Sequence, residues 1–335
     1  MQNGILSARS IHALVADGHI QLPDIELGKG QVQPASLDLR LGHKAYRLRS
    51  SFLPGNDRSV QDCLSTVSMH EINLANGAVL ETGCVYLVPL LEGLSLPSHL
   101  SAAANPKSST GRLDVFTRVI CDGGAQFDAI PHGYKGALYL EIAPRTFSIL
   151  VRTGDRLAQI RFRHGKQTIL STKTVSIDLK GDSSGSIIGY RARRHSGLVD
   201  VAHVGGHESK DYWQPIYAPD ETLILDPNEF YILVSEESVA IPADQAAEMA
   251  PIATEIGEFR AHYAGFFDPG FGIGSQGSKA VLEVRGHDVP FMLRHGQAVA
   301  KLVFEPMQDT PDSLYGQNGS NYQGQALRLS KHFKM

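Results

Sequence analysis

The sequence has few cysteines and no segment of the kind that directs a protein to a membrane or out of the cell. Its three cysteines are far apart and form no CxxC pair, so we expect neither a disulfide framework nor a cysteine-based metal site. The first residues lack the basic and apolar regions of a signal peptide, and no apolar run approaches membrane-spanning length. These absences predict a reduced, cytoplasmic protein with no membrane partner.

Several motifs of nucleotide and metal chemistry are absent as well. The chain has no GxxxxGK[ST] loop, no HExxH helix, and no HxE motif followed by PCxxC. We therefore predict that its chemistry uses no zinc. The net charge of −4 supplies no global basic field, which argues against a nucleic-acid partner. A phosphorylated ligand would need local cations.

The composition favours a folded protein with many turns. Hydrophobic residues make up 42% of the chain, and it contains 33 Gly and 17 Pro. One clear helix is predicted over residues 7–17, because Ile11, Leu14 and Val15 share a face and Gly18 follows. Short apolar runs between turn residues predict strands at residues 35–41, 84–90, 137–142, 156–162, 230–234, 280–284 and 298–304.

The two halves of the chain repeat each other in spacing. A pair of prolines nine residues apart occurs at 97/106 and at 242/251, and a Glu-to-Gly spacing of 13 occurs at 141/154 and at 283/296. Ordered matches of this kind predict two tandem domains, at residues 1–175 and 176–335. The segment 181–211 is predicted to divide them, and we interpret its basic run at 191–195 as a solvated loop rather than a phosphate or nucleic-acid contact.

Residues 107–112 read Lys-Ser-Ser-Thr-Gly-Arg and combine two cations with three hydroxyls. Such a loop can hold phosphate oxygens, because Arg offers a fork of donors and Ser a short hydroxyl. A solvent-exposed turn is the alternative that the local sequence leaves open. The aligned segment of the second half, residues 252–257, lacks both cations, so only the first half is predicted to bind phosphate in this way.

The hairpin of residues 261–271 belongs to the second half and places Asp268-Pro-Gly between aromatic residues. It can present a carboxylate beside a flat apolar wall, which suits a sugar and a base; an ordinary turn is the alternative. In the first half, Pro131 stands where this Asp should be. Glu141 and Glu283 each lie within an apolar strand, where either a solvated face or a general base at a pocket floor fits the pattern.

The C-terminal tail, residues 315–331, is polar and rich in glycine. One interpretation is a frayed terminus. The other is a lid that closes over a ligand, in which Tyr322 stacks and Gln325 and Lys331 donate hydrogen bonds to phosphates.

Taken together, these segments resemble the deoxycytidine triphosphate deaminases of the dUTPase-like superfamily. The resemblance is carried by Lys-Ser-Ser-x-x-Arg-Leu at 107–113, Ala264 with Asp-Pro-Gly-Phe at 268–271, Val-Leu-Glu at 281–283, Arg-His-Gly at 294–296, Tyr-Gln-Gly-Gln at 322–325, and the segment 33–42. It implies a mainly β fold of two tandem dUTPase-like distorted jelly-roll (β-clip) domains. Helices should be few and short, with one at the N-terminus.

The resemblance also implies the activity, which is hydrolytic deamination of dCTP to dUTP and ammonia. It assigns catalysis to Glu283 as general base with Ser108 and Arg112. It assigns substrate binding to Lys107, Ser109, Ala264, Asp268, Phe271, Tyr322, Gln325 and Lys331. Mg²⁺ would be bound through the substrate triphosphate, dTTP is a candidate feedback inhibitor, and a homo-oligomer is expected.

The two halves depart from the family pattern in complementary ways. The first half has the 107–112 loop but lacks the Asp, whereas the second half has Asp268, Glu283 and the tail but lacks the loop. We therefore predict one composite site built from one first half and one second half, with Glu141 outside it. A dUTP diphosphatase, an enzyme that performs both steps, and a non-catalytic nucleotide-binding regulator remain the alternatives.

Overall fold

The computed structural model describes residues 3–22, 26–181, 183, 185–251, 259–261, 265–274, 277–286, 288–317, 320 and 322–334. Strands dominate this part of the chain, which confirms the predicted mainly β class. The helices found there are all short: α1 (Ala8–Ala16), α2 (Val60–Val67), α3 (Ser108–Gly111) and α4 (Ser209–Tyr212).

The N-terminal helix α1 confirms the prediction for residues 7–17. Ile11 and Leu14 are buried in the core, and Val15 packs against its edge. The helix ends at Ala16, and Gly18 lies just beyond it with a φ of 73°, the left-handed conformation that glycine adopts after helix C-termini. Sequence reasoning missed helix α2, although Ser59 and Asp62 form a capping box at its start.

The first half contains two larger sheets. Their strand orders are β11-β9-β14-β4-β3 with β1 on β14, and β10-β12-β8-β5-β6 with β2 on β8. The strands are β1 (Gly4–Ile5), β2 (Ile20–Gln21), β3 (Val32–Gln33), β4 (Ser36–Arg40), β5 (Lys44–Leu48), β6 (Ser68–Asn73), β7 (Ala78–Leu80), β8 (Val85–Ser95), β9 (Leu100–Pro106), β10 (Val115–Cys121), β11 (Ala129–Ile130), β12 (Lys135–Pro144), β13 (Ile149–Val151) and β14 (Arg156–His164).

The second half repeats this arrangement in two sheets ordered β15-β27-β22-β24 and β19-β16-β21-β25-β23. The strands are β15 (Ser171–Ser176), β16 (Gly189–Ala192), β17 (Val199–Asp200), β18 (His207–Glu208), β19 (Trp213–Ile216), β20 (Thr222–Leu225), β21 (Phe230–Val239), β22 (Gln245–Ala250), β23 (Phe259–Ala261), β24 (Phe266–Phe267), β25 (Ser278–Gly286), β26 (Phe291–Arg294), β27 (Ala298–Pro306) and β28 (Phe333–Lys334). All seven strands predicted from the sequence are present.

Individual hydrogen bonds also recur at the spacing of the repeat. The hydroxyl of Tyr86 accepts the backbone N–H of Glu81 at 3.0 Å, and the hydroxyl of Tyr231 accepts that of Asp226 at 2.9 Å. The strand pairs β7–β13 and β20–β26 likewise match each other in order and antiparallel sense. The strand registers therefore allow a residue in one half to be matched to its counterpart in the other.

The predicted divider is not a loop throughout. Strand β16 belongs to the second-half sheet, and the guanidinium of Arg191 within it forms ion pairs with Asp226 and Glu229 at 3.0 and 3.1 Å. Strand β17 instead pairs in parallel with β13 of the first half. Local sequence patterns do not predict these strand pairings, because the paired strands are distant along the chain. The predicted boundary at 175/176 falls inside β15, which pairs with β27 of the second half.

The two halves pack against each other extensively. The larger core cluster is formed mainly by the first half but includes Trp213, Phe230 and Ile232 of the second half. Ion pairs cross the same interface, including Arg163–Glu305 at 2.7 Å and Arg285 with Asp114. The interface therefore fixes side chains from both halves relative to each other.

Candidate active site

One cavity of about 880 Å³ lies between the two halves. Its walls include Lys107, Ser108, Ser109 and Arg112 of the first half, and Asp268, Phe271, Glu283, Tyr322, Gln325 and Lys331 of the second half. Every predicted site residue among those that the structure describes thus lines the same cavity. Ala264 falls outside the described residues. The two walls that the sequence assigns to separate halves meet within a single chain.

The 107–112 loop begins at the end of strand β9 and forms the single turn of α3. The ammonium group of Lys107 forms an ion pair with Asp38, and Arg156 Nη1 lies 3.8 Å from the same carboxylate. Asp38 belongs to strand β4, where its side chain is almost fully buried. It holds the Lys107 side chain at the cavity wall, and sequence reasoning missed this role.

Arg112 is the most deeply enclosed cation of the site. It donates through Nη1 to the carbonyl of Arg328 and through Nη2 to Gln325 Oε1, both at 3.0 Å. Its guanidinium lies 4.0 Å from the centre of the Tyr322 ring, which is cation–π geometry. Burial lowers the pKa of Arg112, while the nearby Tyr322 and Glu283 act in the opposite direction. This side chain therefore joins the first-half loop to the C-terminal tail.

Glu283 occupies the middle of strand β25 and is 2% exposed. Its neighbours Leu282 and Val284 point into the second-half core, as the predicted alternation requires, so the Glu283 side chain points to the opposite face. That face is the cavity wall rather than a solvated surface. The pocket interpretation of this carboxylate is thus the one that fits the structure.

Glu141 is the register counterpart of Glu283 but has a different environment. Glu141 pairs with Leu87 on β8, and Glu283 pairs with Ile232 on β21, at corresponding positions of the two sheets. The Glu141 carboxylate accepts from Arg118 Nε at 2.9 Å and from Ser51 Oγ at 2.6 Å, and it does not line the cavity. Its contacts are those of a structural ion pair.

Asp268 follows strand β24 and is 6% exposed at the cavity wall. Strand register identifies its counterpart, because Phe267 pairs with Ala247 on β22 just as Ile130 pairs with Ala102 on β9. The next residue is Asp268 in one half and Pro131 in the other, which agrees with the sequence comparison. Burial raises the pKa of Asp268, and the Arg161 guanidinium opposes that shift.

An aromatic wall stands beside Asp268. Phe271 packs edge-to-face on Phe267, with ring centres 5.1 Å apart, and lies 5.5 Å from the ring centre of Tyr315. The backbone N–H of Tyr315 donates to the carbonyl of Pro269 at 2.8 Å, which fixes the start of the tail against the hairpin. Tyr315 lies in the predicted 315–331 tail and lines the cavity, but the sequence assigns it no role of its own.

The C-terminal tail lies on the cavity rather than fraying. Gln325 accepts from Arg112 and donates through Nε2 to the carbonyl of Lys279 at 3.1 Å. The backbone N–H of Lys331 donates to the Tyr322 hydroxyl at 3.2 Å. Burial, followed by the charge of Lys107, lowers the pKa of Lys331. These contacts do not fit a frayed terminus, and closure of the tail over a ligand stays a prediction.

The end of the chain is anchored beyond the tail. Strand β28 pairs in parallel with β18 of the divider segment. The ring of Phe333 is buried among Phe147, Tyr212 and Trp213, with ring-centre distances between 5.1 and 6.1 Å. Because this anchor follows the tail directly, it holds Tyr322, Gln325 and Lys331 near the cavity.

His332 connects this anchor to the 107–112 loop. Its Nδ1 lies 2.9 Å from Ser330 Oγ and its Nε2 lies 3.0 Å from the carbonyl of Val201, while Ser330 Oγ donates to the carbonyl of Ser109 at 2.7 Å. Burial, followed by the charge of Lys331, lowers the pKa of His332 to about 4.

This depressed pKa predicts a specific loss of stability in acid. In the unfolded chain the imidazole has its ordinary pKa of about 6.5, so the unfolded state takes up a proton before the folded state does. The contribution of His332 to stability is complete above that pH and falls as the pH drops toward 4, by at most about 1.4 kcal/mol per pH unit. Urea midpoints at pH 7 and pH 5 should differ more for the wild type than for H332Q. Equal pH dependence in both proteins would refute the assignment.

Cations gather at the cavity although the chain as a whole is acidic. The lining includes Lys29, Lys107, Arg112, Arg156 and Lys331, together with the acids Asp38, Asp155, Asp268 and Glu283. These cations supply the local positive charge that a phosphorylated ligand would need. Across the part of the chain that the structure describes, no three His, Cys, Asp or Glu side chains gather as a metal-binding group.

None of the helices in the described residues has the length and apolar character needed to cross a bilayer. Cytoplasmic localisation stays a prediction.

The fold and the cavity define a class: a tandem dUTPase-like β protein with one polar cavity between its halves. Two domain profiles match the sequence, the 2′-deoxycytidine 5′-triphosphate deaminase N-terminal domain over residues 2–166 and the corresponding C-terminal domain over residues 157–333. The chain belongs to the 2′-deoxycytidine 5′-triphosphate deaminase family. This confirms the resemblance found in the sequence.

Individual relatives agree with this assignment. The crystal structure of 2′-deoxycytidine 5′-triphosphate deaminase from Agrobacterium tumefaciens is similar with a TM-score of 0.88 and 53% identity, covering 92% of this chain and 100% of that chain. The dCTP deaminase of Natronomonas pharaonis is 28% identical over 166 residues, which are 47% of this chain and 79% of the relative. A dUMP-forming dCTP deaminase of Dictyoglomus thermophilum is 26% identical over 162 residues, with the same coverage.

Proposed function

We propose that this chain hydrolyses the exocyclic amino group of dCTP, converting dCTP and water to dUTP and ammonia. The observation that carries the proposal is the single cavity in which the 107–112 loop of one half faces Asp268, Glu283 and the tail of the other. The family membership supports the same reaction. The deamination would supply deoxyuridine nucleotides, the precursors of the thymidine nucleotides.

In this mechanism Glu283 is the general base. Its carboxylate takes a proton from a water held near C4 of the cytosine ring, and the resulting hydroxide adds to C4. Glu283 passes this proton to the ring nitrogen N3. It then takes the proton of the new C4 hydroxyl and delivers it to the amino group, so that ammonia leaves and C4 becomes a carbonyl. Ser108 and Arg112 orient the water and stabilise the charge that develops in the addition intermediate.

The second-half wall binds the nucleoside. Asp268 accepts a hydrogen bond from the 3′ hydroxyl of the sugar, and Phe271 with Tyr315 supplies the apolar surface beside it. The backbone at Ala264 reads the pyrimidine edge. These roles follow from the family resemblance, and the position of Asp268 and Phe271 on the cavity wall supports them.

The triphosphate is held where cations and tail residues converge. Its oxygens are bound by Lys107, Ser109, Gln325 and Lys331. The ring of Tyr322 stacks on the guanidinium of Arg112. Mg²⁺ would be bound through the triphosphate oxygens of the substrate and would neutralise part of their charge. Because the proposed chemistry uses no zinc, a zinc-selective chelator should leave turnover unchanged.

A second candidate is an enzyme that also hydrolyses dUTP to dUMP and diphosphate. Relatives named dUMP-forming dCTP deaminases favour it, including the one from Dictyoglomus thermophilum and another from Beutenbergia cavernae that is 32% identical over 112 residues. A dUTP diphosphatase alone and a non-catalytic nucleotide-binding regulator are the remaining alternatives.

One assay distinguishes these functions. The purified protein is incubated with dCTP and Mg²⁺, and ammonia, dUTP and dUMP are measured over time. Stoichiometric ammonia and dUTP would support the proposal, and dUMP with diphosphate would support the two-step enzyme. Binding of dCTP without turnover would support the regulator, and turnover of dUTP but not dCTP would support the diphosphatase.

The matched strand orders and registers support an origin of the two halves by internal duplication. Both walls come from one chain, which supports a site that is complete within that chain. The homo-oligomer and the inhibition by dTTP stand as predictions, to be tested by light scattering of the purified protein and by adding dTTP to the assay.

A further inference from the structure

Arg161 lies directly behind Asp268, although it comes from strand β14 of the opposite half. Its Nη2 donates to Asp268 Oδ1 at 3.0 Å and to the carbonyl of Phe267 at 3.3 Å, and its Nη1 donates to the carbonyl of Ala247 at 3.1 Å. The guanidinium also stacks 4.1 Å from the centre of the Phe266 ring. Arg161 is 3% exposed and does not line the cavity, so it acts on a ligand through the cavity residues that it contacts, and Asp268 is the charged one among them.

The internal repeat shows that the fold itself does not need this pair. Ile160 pairs with Ala104 on β9, and Leu302 pairs with Met249 on β22 at the corresponding position. The next residue is Arg161 in β14 but Val303 in β27. Since Pro131 is the counterpart of Asp268, both partners of the ion pair are replaced together in the other half. The pair is present only where its carboxylate borders the cavity.

We propose that Arg161 is a positioning residue that orients the Asp268 carboxylate and thereby sets the selectivity of the site for a nucleotide with a 3′ hydroxyl. This rests on the proposed function, in which Asp268 accepts that hydroxyl. A guanidinium that also binds two backbone carbonyls is held in one orientation, and it transmits that orientation to the carboxylate. Burial raises the pKa of Asp268, and the adjacent Arg161 guanidinium opposes that shift and so favours the charged carboxylate.

The experiment compares dCTP with 2′,3′-dideoxy-CTP, which lacks the hydroxyl, for the wild type and for R161Q. We expect R161Q to lower kcat/KM for dCTP on the order of 10- to 100-fold, the effect of a lost charged hydrogen bond. The change should lie mainly in KM, and the value for the dideoxy substrate should hardly move. In the D268N background, R161Q should cause no further loss of selectivity.

A matched control exists two residues along the same strand. Arg163 pairs with Glu305 across the same interface, through Nε at 2.8 Å and Nη2 at 2.7 Å, without contacting Asp268 or the cavity. R163Q should therefore keep the wild-type ratio of the two substrates, even if its melting temperature falls. R161K retains the positive charge but lacks the paired N–H donors of the guanidinium, so we expect a substrate ratio between those of the wild type and R161Q. R161K also serves as the test variant if R161Q does not fold.

The proposal is overturned if R161Q loses activity equally on both substrates, or if R163Q shifts the ratio as much as R161Q does. Failure of the proposed function would look different, because the wild type itself would not release ammonia from dCTP. In that case the dissociation constants of dCTP and 2′,3′-dideoxy-CTP are measured instead, and their ratio is compared between the wild type and R161Q. An unchanged ratio in R161Q would then overturn the positioning role.

Discussion

Replacing Glu283 by Gln is expected to abolish nearly all release of ammonia from dCTP. Gln has the shape of Glu but cannot take a proton from water, and the loss of a general base lowers turnover by about 10²- to 10⁴-fold. The side chain is buried within strand β25, so a replacement of equal size should leave the fold and dCTP binding largely intact. Two measurements on E283Q test this expectation. Steady-state kcat tests the loss of turnover, and the dissociation constant of dCTP tests the retained binding.

The internal repeat provides the control for this variant. Glu141 has the same register position and the same burial as Glu283, but it pairs with Arg118 and Ser51 outside the cavity. E141Q should therefore keep a kcat close to that of the wild type while lowering the melting temperature, because a buried ion pair is weakened. Comparable losses of kcat in E141Q and E283Q would contradict the assignment of a single general base.

Replacing Arg112 by Gln is expected to produce the second large loss. Arg112 is a buried donor beside the reacting carboxylate, and removal of one donor that stabilises developing charge lowers kcat by about 10²- to 10³-fold. The variant also breaks the two hydrogen bonds to Arg328 and Gln325, so the tail should loosen and KM should rise as well. Kinetics on dCTP, together with hydrogen exchange of the tail amides, measure the two effects separately.

R9Q is the control for this loss. Arg9 also joins the two halves, through an ion pair with Asp312, but both side chains are more than half exposed and neither lines the cavity. An exposed pair contributes little to stability, so R9Q should behave like the wild type in both kcat and KM. If R112Q retained wild-type kcat and lost only affinity for dCTP, Arg112 would be a binding residue and not part of the catalytic set.

The sequence predicts the parts of the fold that depend on local pattern. The helix α1 and the seven predicted strands follow from apolar spacing and turn residues, which operate over a few positions. The sequence also shows that Pro131 occupies the position in the first half that Asp268 occupies in the second, because the repeat aligns the two halves. The strand register then confirms that these two positions correspond.

What the sequence does not predict depends on contacts between distant residues. Asp38 has no local feature that marks it as the partner of Lys107, and Arg161 is one of several arginines in its strand. The pairing of β28 with β18 joins residues that are more than 120 positions apart. Side chains of this kind acquire their role only when the two halves pack together, so they are visible in the structure and not in the sequence.

The central claim is that each active site is complete within one chain, and a mixture of two inactive variants tests it directly. R112Q has an intact second-half wall, and E283Q has an intact first-half wall. When the two are co-expressed and purified together, our account predicts no more than the sum of their residual activities. If the site formed between chains, random pairing would restore roughly a quarter of wild-type activity. Recovery of that size would contradict the single-chain site.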